Sequence, residues 1–313
     1  MRGAQEMNVP TLIVMVGIPA SGKTDRTKPL SELFDAKVFS SDAYRKQLLG
    51  NENSQENNKL VFTALYNDIE KELVKGNNCI LDSTNTTRKN RKLVIDRFSK
   101  YANIVAYVMA TDVDVCIKRD ANRTRQVGKD VINKFVLSYQ FPQMFEGFSN
   151  IIIDNVDRKS YSENNVKTIR NKMNRFNQQN PHHKYNLGTH CDKLAEQFSE
   201  LDIRNLSGKW HDIGKLFTQV VDDKGVAHYY GHESYSAYYM LSHLDLVDLR
   251  SNYLIGEFLF YINYHMHIRD IVNNGKETTK QKYRDLFGTD YSGASRYDKL
   301  VEFMQADNDA GHK

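Results

Sequence analysis

Gly17-Ile18-Pro19-Ala20-Ser21-Gly22-Lys23-Thr24 follows directly on a short apolar, β-branched run, Thr11–Val16. The spacing is that of a phosphate-binding loop, G-x-x-x-x-G-K-[ST], and each residue type has its own task there. The glycines let backbone N–H groups turn inward around a polyphosphate. Lys23 would reach the β- and γ-phosphates, and the Thr24 hydroxyl would help hold Mg²⁺. A helix opening at Gly22 would offer its positive end to the anion. Gly17, Ser21, Gly22, Lys23 and Thr24 are therefore the expected nucleotide site, for ATP or GTP with Mg²⁺.

Other polar residues stand just past short apolar runs. Asp42 and Arg45 lie one helical turn apart. A carboxylate near the γ-phosphate can accept the proton of an attacking hydroxyl, and a neighbouring arginine can clamp a substrate phosphate. The plainer reading of Asp42 is a helix N-cap. Asp82 opens Asp82-Ser83-Thr84-Asn85 and is expected to position Mg²⁺ through water or orient an arginine; the alternative is a turn before the next helix. Arg119 and Arg123, four residues apart, share a helix face from which they can neutralise charge on a transferring phosphoryl group.

The second half carries a different set. His190, His211-Asp212, His232, His265, His267 and Asp307 are spread over several helical patterns. One histidine on an apolar helix is usually a satisfied core residue. Imidazoles and carboxylates converging from separate helices suit a metal site in a bundle. The adjacent pair His211-Asp212 can supply one nitrogen ligand and one bridging carboxylate to two cations.

These residues need a frame. Apolar strand patterns at Thr11–Val16, 37–40, 78–81, Asn103–Met109 and 150–153 alternate with helical ones. That predicts an α/β domain over residues 1–153, a parallel sheet flanked by helices, in which ligands gather at the carboxyl ends of the strands. The stretch 115–139 reads as a helical lid. Residues 154–180, rich in Asn, Ser, Lys and Arg, read as a linker. It would hold a short basic helix through Lys167, Arg170 and Arg175, whose sharper reading is contact with a nucleic-acid backbone. From 181 to 313 the pattern is all-helical, with helix-period apolar residues over 186–201, 206–217, 233–246, 253–264 and 297–306.

Hydrophobic content of 40% and charged content of 26% are ordinary for a globular chain, and 313 residues are long for one core. No apolar stretch approaches the roughly 20 residues of a membrane span, and there is no signal-peptide pattern. Three scattered cysteines fit neither a disulfide framework nor a zinc ribbon. A cytoplasmic setting without a membrane partner is expected. The formal charge is +4, with the surplus before Val156, which favours an anionic partner for the first half.

The first half has a family likeness. GIPASGKT, Ser41-Asp42-Ala43-Tyr44-Arg45, Asp82-Ser83-Thr84-Asn85 and Lys118-Arg119 with Asn122-Arg123 resemble the 5′-kinase domain of phage polynucleotide kinase–phosphatases. That resemblance implies Asp42 as general base for a 5′-hydroxyl and Arg45 as the residue binding the acceptor's phosphate. Asp82 and Arg119 would support the site, and Arg123 would grip the donor phosphates of ATP. Ala43 departs from the family, which often has a second acidic residue there.

The second half resembles the HD phosphohydrolase superfamily through His211-Asp212-Ile213-Gly214-Lys215, Gly231-His232-Glu233-Ser234-Tyr235-Ser236-Ala237 and Ala306-Asp307. That implies an all-α HD domain holding one or two divalent transition metals such as Mn²⁺, Ni²⁺ or Co²⁺. His190, His211, Asp212 and Asp307 would hold one metal. His232 and His265 would hold a second, with Asp212 bridging, and Lys215 would donate a proton or stabilise phosphoryl oxygens. His267 and Asp309 are the rivals of His265 and Asp307. Asp112-Val113-Asp114 has the spacing of a haloacid-dehalogenase nucleophile but reads as a helix start.

Together the two resemblances imply a bifunctional enzyme that heals RNA or DNA ends. It would phosphorylate 5′-hydroxyls from ATP and remove 3′-phosphates, opening 2′,3′-cyclic esters, for a separate RNA ligase. Its setting would be the cytoplasm, the host's if the gene is a phage gene. Two other readings stay open: a small-molecule or nucleoside kinase fused to an HD nucleotidase, and a nucleotide-switched regulator with a ligand-binding HD module.

Overall fold

The computed structural model describes every residue except 1–8, 53, 55, 156–159, 181–183 and 313. Part of the expected linker and the expected start of the HD domain thus lie outside the described residues. The chain divides into two compact units. One takes residues up to 111 with 115–127 and 142–154; the other takes 112–114, 128–141 and 155–313.

In the first unit β1 (Thr11–Val16), β2 (Ala36–Ser40), β3 (Asn78–Asp82), β4 (Asn103–Met109) and β5 (Asn150–Asp154) form one sheet. Its order is β2-β3-β1-β4-β5, and every pairing is parallel. Such pairings require crossovers, supplied by α1 (Lys23–Phe34), α2 (Ser41–Leu49), α3 (Asn58–Val74), α4 (Arg88–Phe98) and α5 (Val113–Asn122). β1 lies in the middle, with Leu12, Val14, Met15 and Val16 wholly buried. A strand covered on both faces has no reason to alternate, hence the unbroken apolar run. The expected strands are all present within a residue or so at their ends, and Asp82 turns out to be the last residue of β3. α3 was not expected.

The second unit is helical: α6 (Lys129–Leu137), α7 (Glu163–Arg175), α8 (Leu187–Ala195), α9 (Ile203–Trp210), α10 (Lys215–Thr218), then a two-stranded hairpin of β6 (Val220–Val221) and β7 (Ala227–His228). It continues with α11 (His232–Ser242), α12 (Asn252–Tyr264), α13 (Arg269–Asn274), α14 (Glu277–Phe287) and α15 (Arg296–His312). The hairpin, α13 and α14 were not expected.

Three boundaries differ from expectation. Residues 128–141, read as part of the lid in the first domain, group with the second unit. Asn263 of α12 explains why: its Oδ1 accepts from Phe141 N at 2.8 Å and its Nδ2 donates to Tyr139 O at 3.0 Å, while the Tyr139 ring packs edge-on to Tyr238. The expected linker does hold its basic helix, α7, but this helix belongs to the second unit and buries Met173 completely. Its Arg170 donates to Lys209 O and Gly188 O and pairs with Asp192, so it fastens α7 down rather than facing solvent. The pattern at 206–217 is two helices, broken at His211–Gly214. Among the described residues no helix is long and apolar enough to cross a membrane.

Candidate functional site

The loop between β1 and α1 needs both of its glycines. Gly22 has φ 92°, and a Cβ on Gly17 would lie 2.6 Å from Ser21 Oγ. Lys23 Nζ donates to the carbonyls of Gly17 and Ile18 at 2.9 and 2.8 Å. Burial brings its pKa down to about 8, although Asp82 and Asp42 pull the other way. Thr24 Oγ1 donates to Asp82 Oδ2 at 2.9 Å. Burial raises the Asp82 carboxyl above its usual range, and the Thr24 hydrogen bond and Lys23 moderate the rise.

Asp42 is not a cap. It stands in the first turn of α2, whose N-cap residue is Ser40, and both its oxygens accept from arginines. Arg45 Nη1 is 2.7 Å from Oδ1 and Arg125 Nη1 is 2.5 Å from Oδ2. Arg45 is itself held, with Nη2 3.2 Å from Asn58 Oδ1 and its guanidinium over the Phe62 ring. Arg119 lies over the loop: a Cβ on Gly22 would be 3.5 Å from its Nη1. Arg123 pairs with the buried Asp120 and is near enough to Lys23 to depress its pKa. Asn85, at φ 46°, ties the segment after β3 to β1 by donating to Met15 O, while Thr87 caps α4. The expected residues Lys23, Thr24, Asp42, Arg45, Asp82, Arg119 and Arg123 thus gather beyond the carboxyl ends of β1, β2 and β3. Arg125 was not foreseen.

In the second unit four histidines converge on Asp212, and Asp307 joins two of them. His190 and His211 Nε2 are 3.4 and 3.3 Å from its Oδ2, and His232 and His265 Nε2 are 3.1 and 3.6 Å from its Oδ1. Asp307 Oδ1 lies 3.0 Å from His190 Nε2 and 3.3 Å from His211 Nε2. The helix break after Trp210 places His211 and Asp212 here, and His190, His232, His265 and Asp307 arrive from α8, α11, the end of α12 and α15. His267 packs instead on Tyr264 and Tyr283, and Asp309 is exposed.

The tautomers follow from the backbone. Nδ1 of His211, His232 and His265 faces the carbonyl of Gly208, Tyr229 and Ile262 at 2.9, 2.7 and 2.8 Å. A carbonyl only accepts, so Nδ1 carries the proton and the Nε2 lone pair is left for a cation. These three Nε2 atoms and Asp212 Oδ1 are buried with no hydrogen-bond partner among the described residues. Lone pairs and carboxylate oxygens brought this close need a proton or a cation between them, so the donor set fits divalent metal. Three groupings within the set have ligand atoms inside 4.8 Å of one another.

Burial works against every charge in this cluster, yet the opposite charges prevail at most positions. His190 is raised to about 9 and His211 well above its ordinary value, while Asp212 and Asp307 are held well below theirs. At His265 burial prevails and the pKa falls. Lys215 Nζ sits 2.6 Å from Asp212 Oδ2 and 3.1 Å from Gln178 Oε1. The cluster opens into a cleft of about 430 Å³, whose lining also includes Tyr229, Tyr230 and Arg269. Sequence reasoning passed over these three and Gln178, because no motif contains them.

Residues 12–142 match the family model AAA_33, described as an AAA domain. This segment is a P-loop kinase-like domain, a fold that implies ATP and Mg²⁺. Over 130 residues the chain is 31% identical to human 6-phosphofructo-2-kinase/fructose-2,6-bisphosphatase 3, covering 36% of this chain and 25% of that protein. Protein kti12 of Schizosaccharomyces pombe is 25% identical over 145 residues, covering 42% of this chain and 52% of the relative. The chain spans about a quarter of the length of the kinase–bisphosphatase relatives. Among solved structures, the Pnkp1/Rnl/Hen1 RNA repair complex aligns with a TM-score of 0.37 and 21% identity, over 44% of this chain and 45% of that one. A fungal RNA kinase aligns with a TM-score of 0.35 and 14% identity, over 94% of this chain and 69% of that one.

Proposed function

We propose that the protein is a bifunctional end-healing enzyme for nucleic acids. Its P-loop unit phosphorylates 5′-hydroxyl ends of RNA or DNA. Its helical unit, read as an HD-type phosphohydrolase, removes 3′-phosphates and opens 2′,3′-cyclic esters, leaving ends that a separate RNA ligase can join. The observation that carries this reading is the presence in one chain of two differently dressed carboxylates. Asp42 lies between two arginines beside a phosphate-binding loop, and Asp212 faces histidines on both oxygens. Transfer to a hydroxyl calls for the first arrangement, and phosphomonoester hydrolysis for the second.

In the kinase reaction Asp42 takes the proton of the attacking 5′-hydroxyl, and Arg45 with Arg125 holds the acceptor's phosphate. Lys23, Arg119 and Arg123 offset charge on the transferring phosphoryl group, while Thr24 and Asp82 serve Mg²⁺. In the helical unit His190, His211, Asp212 and Asp307 would hold one divalent cation, and His232, His265 and Asp212 would hold another. Such a pair would supply Lewis acidity toward phosphoester oxygens. Lys215 stabilises the phosphoryl oxygens or protonates the leaving group.

A second reading, transfer to a small acceptor, draws support from relatives named as kinases of a sugar phosphate. One experiment separates the two. An RNA oligomer with 5′-hydroxyl and 3′-phosphate ends is incubated with ATP, Mg²⁺ and Mn²⁺. The expected result is gain of a 5′-phosphate, lost only in Lys23→Ala, and loss of the 3′-phosphate, prevented only in Asp212→Ala. Unchanged ends, with phosphorylation of free nucleosides or sugar phosphates, would put the small-acceptor reading in its place.

A further inference from the structure

We propose that the ring pair His228–Tyr230 is a nucleobase platform in the Asp212 cleft, and that Arg269 binds a phosphate oxygen of the same nucleotide. This rests on reading the cleft as a phosphoester site. It adds which part of the substrate, besides the ester, the cleft recognises: a base-bearing terminal nucleotide rather than a sugar phosphate.

The platform is built by the β6–β7 hairpin, which interrupts the chain between the Lys215 helix and the His232 helix. Asp222 organises that hairpin. Its Oδ1 accepts from Lys224 N and Val226 N at 2.9 Å each, and its Oδ2 is 3.0 Å from His228 Nε2. The His228 ring is thereby fixed. Tyr230 lies on it almost parallel, with centroids 5.7 Å apart and 6° between planes. Between them Tyr229 is otherwise engaged, with its hydroxyl on Gln178 O and Lys215 Nζ 5.4 Å from its ring.

Tyr230 is 72% exposed, yet it and His228 line the same cleft as His190, Asp212 and His232. A flat ring on a fixed support, bordering a phosphoester cleft, suits a base, because every base has a π-face and stacking reads no edge. The cleft's volume of about 430 Å³ falls among small-molecule sites.

Arg269 supplies the second observation. Its Nη2 is 3.0 Å from Asn308 Oδ1 and 3.5 Å from Asp307 Oδ2, but its Nε is enclosed and has no hydrogen-bond partner among the described residues. The side chain as a whole is 39% exposed and lines the cleft, so its remaining donors are open to a ligand there. A phosphate oxygen is the acceptor that an arginine fork fits best.

Two readouts test the proposal. The first is calorimetric binding of a nucleoside 3′-monophosphate and of glycerol phosphate to the whole protein without added metal, every protein compared in an Arg125→Ala background that disables the kinase unit's own acceptor site. The second is KM, with Mn²⁺, for 3′-phosphorylated oligonucleotides ending in an ordinary or an abasic nucleotide. The wild type is expected to favour the base-bearing ligand about tenfold in both Kd and KM, with kcat little changed. Tyr230→Ala should erase that preference and Tyr230→Phe should keep it, while Arg269→Gln should weaken both ligands alike. Equal binding by the wild type, or a preference that survives Tyr230→Ala, overturns the platform. An Arg269→Gln protein that binds both ligands as the wild type does overturns the phosphate contact. Base-dependent binding that Tyr230→Ala abolishes, with neither oligonucleotide hydrolysed, upholds the platform and overturns the phosphohydrolase reading.

Discussion

Arg125 meets Asp42 across 83 residues of sequence, its Nη1 2.5 Å from Oδ2, while Arg45 holds the opposite oxygen from within the same helix. A carboxylate gripped on both oxygens is aimed, and a general base must be aimed before its basicity matters. Asp42→Asn is therefore expected to lower phosphoryl transfer by about 10²–10⁴-fold with the ATP KM unchanged. Arg125→Ala should mainly raise KM for a 5′-hydroxyl oligonucleotide bearing the neighbouring phosphate. Steady-state kinetics with both substrates varied checks this. A change confined to the ATP KM would assign Arg125 to the donor instead.

Lys23 gives the kinase site a pH dependence of definite sign. Its pKa is about 8 in the folded chain against 10.5 for an ordinary lysine, because burial penalises the ammonium. Between those values the unfolded chain holds the extra proton, so the Lys23 contribution to stability rises with pH from about 8 upward. Nucleotide binding runs the other way, since polyphosphate prefers the charged form. Affinity for ATP should be full below pH 8 and fall above it, by at most about tenfold per pH unit. Calorimetry from pH 7 to 9.5 checks this, and Lys23→Arg should flatten the profile.

How far these sites were legible follows from where their information lies. The loop 17–24 is contiguous, and β1, buried on both faces, announces itself as an apolar run. Asp42 and Asp82 were legible because each stands at a strand end. α3 has the helical period, since Val61, Leu65, Ile69 and Leu73 recur every fourth residue, but it carries no motif. Arg125 was not legible, because its role depends on a partner 83 residues away. The basic run at 167–175 reads as part of a linker, yet Arg170 is tied to α8 and α9. His265 and His267 cannot be told apart by type. The end of α12 turns the first toward Asp212 and the second toward Tyr264 and Tyr283.

The two faces of Asp212 predict metal stoichiometry. With His190 and His211 on one oxygen and His232 and His265 on the other, metal-stripped protein should take up about two Mn²⁺ per chain. His232→Ala should leave one and Asp212→Asn should abolish tight binding. Binding to the folded state alone should raise Tm with Mn²⁺ concentration. Titration calorimetry and thermal melts read both effects. One ion in the wild type, unaffected by His232→Ala, would confine the metal to the His190, His211 and Asp307 side.

Gly214 couples the fold to the same cluster. Its φ of −58° is helical, so alanine could take up this backbone without strain. Packing opposes this. A Cβ at Gly214 would stand 2.3 Å from His232 O and 2.8 Å from Ser236 N, and Gly214 N already donates to Ser236 Oγ. The atoms in the way are mostly backbone of α11, which cannot rotate aside, so α11 and the His232 ring must move together. Gly214→Ala is expected to cost about 1–3 kcal/mol net and to weaken Mn²⁺ binding. Gly225→Ala, with φ 77° and nothing within 4 Å of the new Cβ, should cost only the left-handed strain and leave the metal alone. Thermal melts and Mn²⁺ titration of both variants check the pair. A Gly214→Ala protein that melts higher than wild type would mean that α11 does not pass against the turn as closely as these distances require.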